Sequence, residues 1–351
     1  MSGLAAKQRT LRSGGDLAAA EFIAQSDVAA IDALSARYGV ALTPDVVALI
    51  APGVADDPIA RQFVPSLAEL DAAPNERADP IGDAAHSPVE GIVHRYPVRA
   101  LLKLVHICPV YCRFCFRREM VGPGKAQALG KAALARALAY VGAHPEIWEL
   151  IITGGDPFSI SAARMRGLMT ALGRIPHLKI IRFLTRVPVV DAAHIDAEFV
   201  DALRAAGKTV YVALHANHAR ELTEGARAAC ARMIDAGLPM LSQSVLLKGV
   251  NNSVEALDAL FRAFAEARIK PYYLHHPDLA PGTAHFRVPI AEGQALMRAL
   301  RGRLSGLCIP EYVLDIPGGF GKSPIGPNYV HDDGGTCAIE DFNGARHDYA
   351  G

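Results

Sequence analysis

The chain has 351 residues, 51% of them apolar, which is enough to bury a large core and excludes a disordered polymer. Its 36 Lys and Arg balance 36 Asp and Glu, so there is no electrostatic footprint for nucleic acid or an anionic lipid surface. No run approaches the roughly 18 consecutive apolar residues of a membrane span. The basic start lacks the apolar stretch of a signal peptide, and six cysteines, three of them clustered, suit a reducing compartment with a metal site; the expected location is the cytoplasm.

Residues 1–14 are polar and glycine-bearing and read as a disordered lead. From 16 to 50, apolar positions such as Leu17, Phe22, Ile31, Leu34 and Tyr38 recur at three- and four-residue spacing. This predicts two or three amphipathic helices, with Thr43-Pro44-Asp45 as a helix start. Residues 51–98 are rich in Pro, Asp and Ala, have little periodicity, and read as a connecting layer.

From residue 99 the pattern alternates. Strands are predicted over 101–107, 148–153, 179–184, 209–214, 240–246 and 271–274, each followed by a helix, at 127–143, 162–174, 196–206, 221–236, 254–267 and 291–303. A further strand is expected over 308–314. Six βα units in sequence predict an α/β fold, a partial (β/α)6 TIM-like barrel with an N-terminal helical extension. The expected divisions are 1–98, 99–305 and 306–351. Barrel chemistry sits at the C-terminal ends of the strands.

Cys108, Cys112 and Cys115 stand at C-x3-C-x2-C spacing directly after the first of these strands, with no fourth cysteine nearby. Thiolates hold iron–sulfur clusters, and three of them on a [4Fe–4S] cube leave one iron open for another ligand. The alternatives are a zinc knuckle completed by His106, or core cysteines. The spacing resembles that of the radical S-adenosylmethionine (SAM) enzymes, in which the open iron takes the amine and carboxylate of SAM. Gly154-Gly155-Asp156-Pro157 follows the second strand; paired glycines let backbone come close to a ligand, though an ordinary βα turn has the same look. His215, Asn217 and His218 end the fourth predicted strand and Gln243 lies in the fifth, positions where satisfied core groups also occur.

Pro317-Gly-Gly-Phe-Gly-Lys322-Ser-Pro324 fails as a phosphate loop, because the required early glycine is Ile316 and Pro324 opposes the following helix. Lys322 reads as a lysine on flexible backbone without a local acidic partner, either an exposed loop lysine or the amine that carries pyridoxal 5′-phosphate (PLP). Arg95 and Arg99 suit a phosphate, Arg117 could clamp a carboxylate, and Asp278 and Asp315 stand near strand ends. Cys230 and Cys308 read as core, and Cys337 lies in the tail.

Taken together, His86-Ser-Pro-Val89, His94-Arg-Tyr-Pro97, the cysteine loop through Gly122, Gly154–Pro157, His215-Ala-Asn-His218, 243–251, 271–274, His285-Phe-Arg287 and Pro317–Lys322 make the chain resemble the lysine 2,3-aminomutases. These are PLP-dependent radical SAM enzymes, and the resemblance runs from about 50 to 330. It implies a radical SAM barrel, a [4Fe–4S] cluster on Cys108, Cys112 and Cys115, and SAM near Gly154, Gly155, Asp156, Pro157, His215 and Gln243. It further implies PLP on Lys322, with its phosphate near Arg95 and Arg99. The implied substrate is L-lysine, its carboxylate on Arg117 and its ε-ammonium between Asp278 and Asp315, since a buried cation needs paired carboxylates. The implied reaction moves the amino group from C2 to C3 and gives β-lysine.

The resemblance also implies a reductant such as flavodoxin or ferredoxin, and leaves room for a homo-oligomer. Longer members carry a tail cysteine cluster that binds zinc; here the tail has only Cys337 and Ser253 stands after Gly249-Val-Asn-Asn252, so no zinc is expected. Chains of this short form resemble those that make β-lysine for elongation factor P, although such relatives often lack the second aspartate, here Asp315. The competing expectations are an aminomutase for glutamate or ornithine, and a non-catalytic iron–sulfur or zinc module.

Overall fold

The computed structural model describes residues 9–350 apart from 55, 72, 123 and 333–336; residues 1–8 of the expected disordered lead, and residue 351, lie outside it. Three helices open the described chain: α1 (Gly14–Ala19), α2 (Val28–Arg37) and α3 (Pro44–Leu49). Ser13 caps α1 by accepting the Asp16 N–H, and Pro44 starts α3 where no N–H is needed. Their buried residues, among them Leu17, Ile31, Leu34 and Val46, join the core of the barrel. The connecting layer is more ordered than its composition predicts. It holds the short helix α4 (Ala60–Phe63) and a strand, β1 (Ile92–Tyr96), whose Ile92 and Val93 are buried.

The βα alternation follows as expected, with ends displaced by a few residues. Strands β2 (Arg99–Val105), β3 (Glu149–Gly154), β4 (Ile180–Thr185), β5 (Thr209–His215), β6 (Met240–Val245), β7 (Lys270–His275) and β8 (Glu311–Ile316) pair in parallel. Between them run α5 (Lys131–Ala143), α6 (Ala162–Gly173), α7 (Val187–Val190), α8 (Ala197–Arg204), α9 (Glu224–Asp235), α10 (Val254–Glu266) and α11 (Ile290–Arg301). Ser253 accepts the Ala256 N–H as the cap of α10.

Two antiparallel strands frame this sheet. β1 precedes β2, and β9 (Gly321–Pro324) pairs back on β8, so the sheet holds nine strands in sequential order with β1 and β9 at its edges. The barrel is therefore open, and a side chain spans the seam: the Lys322 N–H donates to the Tyr96 hydroxyl at 2.7 Å. Beyond it, β10 (Val330–Asp332), β11 (Cys337–Glu340) and β12 (Arg346–Tyr349) form a small antiparallel sheet that the sequence reading did not anticipate. Cys230 and Cys308 are buried, as expected.

The glycine-rich segment before Lys322 is a strand-forming turn. Gly318, Gly319 and Gly321 have φ of +97°, +92° and +94°, values that side chains resist, and so reverse the chain tightly onto β8. The segment read as flexible is therefore held in a sheet edge. Pro324 is tolerated there because an edge strand leaves one row of N–H positions unpaired.

The paired glycines after β3 have a packing reason. A Cβ on Gly154 would lie 2.3 Å from the Val105 carbonyl oxygen, and one on Gly155 would lie 2.2 Å from that of Ile107. Gly155→Ala should consequently lower stability by about 1–3 kcal/mol, since the obstacle is backbone and overpacking costs are of that order. Chemical denaturation checks this, and the variant should unfold at lower denaturant with an unchanged slope.

Candidate active site at the barrel mouth

The cysteine loop leaves β2 and is fixed by two of its own arginines. Arg113 is 1% exposed; it donates to both oxygens of Glu69, at 2.9 and 2.6 Å, and to the carbonyls of Tyr38 and Gly39 at 3.0 and 2.8 Å. Arg118 pairs with the same carboxylate and reaches the Arg113, Pro281 and Gly282 carbonyls. Burial alone would raise the Glu69 pKa, but the two guanidinium groups outweigh it and hold the carboxyl below its usual range. The extension thus clamps the loop that carries the three cysteines.

Burial pushes all three thiols up, Cys115 to about 11, with Arg186 opposing the rise at Cys112. They are soft donors, half-buried, and lie within eight residues of chain. His215 ends β5 with its ring 5.7 Å from that of Phe114, which sits between Cys112 and Cys115. Its Nε2 is buried and has no hydrogen-bond partner among the described residues. Burial, then Arg186 and His275, hold this imidazole well below its ordinary pKa, so it is neutral. Gln243 lies beside it in register on β6.

At the Gly154–Pro157 turn two backbone donors are already engaged. The N–H groups of Gly155 and Asp156 are spent on the carbonyls of Val105 and Ile107, at 2.6 and 2.9 Å. Asp156 is buried and accepts from Thr185 Oγ1 at 2.7 Å and the Arg186 N–H at 2.6 Å. This turn therefore binds the cysteine loop to β3 and β4, and those two N–H groups are not offered to a ligand.

On the opposite side of the mouth, Lys322 has the acidic partner that its local sequence lacks. Antiparallel pairing sets Asp315 of β8 directly opposite Lys322 of β9, and the Lys322 ammonium pairs with the Asp315 carboxylate. The reading of a lysine without an acidic neighbour is corrected on this point, because a hairpin register brings together residues that a linear scan separates. Lys322 Nζ also lies 3.3 Å from His275 Nδ1, a residue at the end of β7 that sequence reasoning passed over by stopping the motif at Leu274. Burial and Lys322 hold His275 below its ordinary pKa, while Asp315 is held well below its own by His275 and Lys322 against the pull of burial.

Asp278 belongs to the same charged group. Burial first, and the Asp315 charge second, raise its pKa to about 7, with Lys322 and Arg117 opposing. Arg117 donates to Thr153 Oγ1 at 2.9 Å and lies 3.5 Å from Asp83 Oδ2. Arg95 reaches the Ile81 carbonyl at 2.7 Å and Asp83 Oδ1 at 3.3 Å, so Arg95 and Arg117 share one buried carboxylate that was not singled out from the sequence. Arg99 lies over the Tyr96 ring at 3.8 Å. The buried Nε atoms of Arg95 and Arg117 have no partner among the described residues, which leaves each an unspent donor.

Sequence comparison matches the Radical SAM superfamily over residues 102–261 and Lysine-2,3-aminomutase over 297–349. The chain is 38% identical to the L-lysine 2,3-aminomutase of Clostridium subterminale over 88% of its own length and 74% of that protein. The chain belongs to the lysine 2,3-aminomutase family. It is likewise 38% identical to a protein named Putative L-lysine 2,3-aminomutase from Aquifex aeolicus, over 89% of this chain and 84% of that one. A Glutamate 2,3-aminomutase of Clostridioides difficile is similar at 32% over 86% and 70%. Membership makes the chain a radical SAM isomerase and implies a [4Fe–4S] cluster, SAM and PLP. The residues fit these groups: three clustered, half-buried soft thiols, an orphaned imidazole nitrogen on the neighbouring β5, and an amine on a rigid hairpin.

The Glu69 clamp generates a stability prediction. Glu69→Gln leaves Arg113 and Arg118 as uncompensated buried cations, a loss of about 3–5 kcal/mol. Denaturant unfolding should show it, together with easier proteolysis of the cysteine loop.

Proposed function

We propose that this protein converts L-lysine to β-lysine by moving the amino group from C2 to C3. The observation that carries the reading is the pair of carboxylates, Asp278 and Asp315, which share a half-buried site with Lys322 and shift one another's ionisation there. Two acids at a half-buried site suit a substrate that arrives with an extra cation; a glutamate side chain would meet like charge there, which disfavours the glutamate alternative.

When bound, the cluster and SAM would supply the hydrogen-abstracting radical, and PLP the π-system over which nitrogen migrates. The chain's own part is to hold, orient and neutralise. Cys108, Cys112 and Cys115 are the cluster ligands in this reading, with Gly154–Pro157, His215 and Gln243 around SAM. Arg95 and Arg99 serve the PLP phosphate, and the unspent Nε–H of Arg95 is a donor for it. Arg117 takes the substrate carboxylate through its own unspent Nε–H.

Lys322 is the amine that holds PLP. His275 Nδ1 stands 3.3 Å from the Lys322 amine, and its imidazole, held below the ordinary pKa and so available in the neutral form, would take a proton from it. With PLP held by Lys322, the Asp315 carboxylate would be free to face the substrate ε-ammonium.

The three regions 1–98, 99–305 and 306–351 then act as clamp, radical barrel and PLP hairpin. No helix among the described residues is long and apolar enough to cross a membrane. We place the protein in the cytoplasm, reduced by a flavodoxin or ferredoxin, able to form a homo-oligomer, with β-lysine destined for elongation factor P or for free lysine metabolism.

Anaerobically reconstituted protein given L-lysine, SAM and dithionite should yield β-lysine by mass spectrometry, in preference to products from glutamate or ornithine. Turnover of either of those without turnover of lysine would overturn the reading. Lys322→Ala should lose the visible absorbance of lysine-bound PLP while keeping its iron. Because a cation binds the ionised form of Asp278, the KM for lysine should fall as pH rises through about 7. Asp278→Asn should raise KM and flatten that profile.

A further inference from the structure

Behind the cysteine loop lies a buried arginine that the scheme above does not use. Arg186 follows β4 and is 5% exposed. Its Nη1 donates to Cys112 Sγ at 3.4 Å. Its Nη2 donates to Gln62 Oε1 at 2.6 Å and pairs with Glu221. The guanidinium carbon lies 4.7 Å from the Phe63 ring centre and 5.5 Å from that of Phe114, so water is kept from it by aromatic faces. Glu221 is itself held by Gln62 Nε2 at 3.2 Å and by the N–H groups of Asn217 and His218. Every contact that aims the guanidinium is therefore fixed, and one N–H is directed at a cluster-ligand sulfur.

We propose that Arg186 sets the reduction potential of the cluster by hydrogen-bonding the Cys112 thiolate, with Glu221 and Gln62 as the positioning residues that aim it. This inference rests on the reading of Cys108, Cys112 and Cys115 as cluster ligands. On reduction the cluster takes up one electron from an external one-electron donor and no proton, so the thiolate-bound core becomes more negative by one charge. A cation and an N–H···S bond at the sulfur favour that form, and in a dry site little solvent screens them. Glu221 acts in the opposite sense, because its negative charge partly cancels the guanidinium. The N-terminal extension reaches the cluster through Gln62.

The test is a redox titration of the SAM-free cluster, followed by electron paramagnetic resonance, on reconstituted wild type and variants matched for iron content. Arg186→Gln should lower the midpoint, with at least a tenfold loss in the reduced-to-oxidised ratio at a fixed potential, about 59 mV for a one-electron couple. Arg186→Lys keeps the charge and should return the midpoint towards wild type. Glu221→Gln keeps an oxygen acceptor but removes the opposing charge, and should move the midpoint upward. General loosening of the loop would not move the two variants in opposite directions. An unshifted midpoint in iron-loaded Arg186→Gln, or shifts of one sign in both variants, overturns the inference. If Arg186→Gln does not fold, the upward shift in Glu221→Gln decides alone. Wild type that binds no iron would overturn the cluster reading itself.

Discussion

Glu69 is 3% exposed and receives two guanidinium groups, those of Arg113 and Arg118, from within the cysteine loop. A carboxylate so placed is costly unless both cations stay, and the cations are costly unless the carboxylate stays. Nothing about this arrangement maximises stability, since apolar residues of the same volume could serve as well or better. What it does is make one position of the loop far cheaper than any other, because displacement would strand charge in a dry interior. The three thiols owe their place at the end of β2 to that penalty, and so do the contacts of Phe114 with His215.

The second constraint is the open barrel. A sheet that ends in β8 would leave Asp315 at the rim with no cation beside it. The reversal through Gly318, Gly319 and Gly321 returns the chain as β9, and the register of that hairpin sets Lys322 opposite Asp315. The Tyr96 hydroxyl then accepts the Lys322 N–H across the seam, so the amine's backbone is tied to both edges of the sheet. An amine on a paired strand loses little freedom on engaging a cofactor, which a loop lysine would not match.

Charge at the mouth is arranged in two groups with different duties. Arg95 and Arg117 share Asp83, one carboxylate between two cations, which leaves this side of the mouth with surplus positive charge. Lys322, Asp315, His275 and Asp278 form the other group, in which burial first and the Asp315 charge second raise Asp278 to about 7. An amino acid with a carboxylate at one end and an ammonium at the other complements both. The separation of anion-seeking and cation-seeking groups, more than the shape of the site, carries the substrate reading.

Much was legible without coordinates. Spacing of thiols, the glycine pair, the βα alternation and the lysine beyond the last strand depend on short stretches of chain, and short-range periodicity and residue chemistry report those directly. The same local signals gave no packing reason for the Gly154–Pro157 turn, whose glycines answer to the carbonyls of Val105 and Ile107, residues some fifty positions earlier. They also missed β1 and the tail strands, which at three to five residues are too short to show a period. By itself the sequence determined which chemistry is present and in which order along the barrel. Only the tertiary structure decided the partnerships: Asp315 with Lys322, Glu69 with two loop arginines, Arg186 with Cys112. Each of these depends on strand register and on packing across the barrel mouth, and neither leaves a periodic trace in the chain.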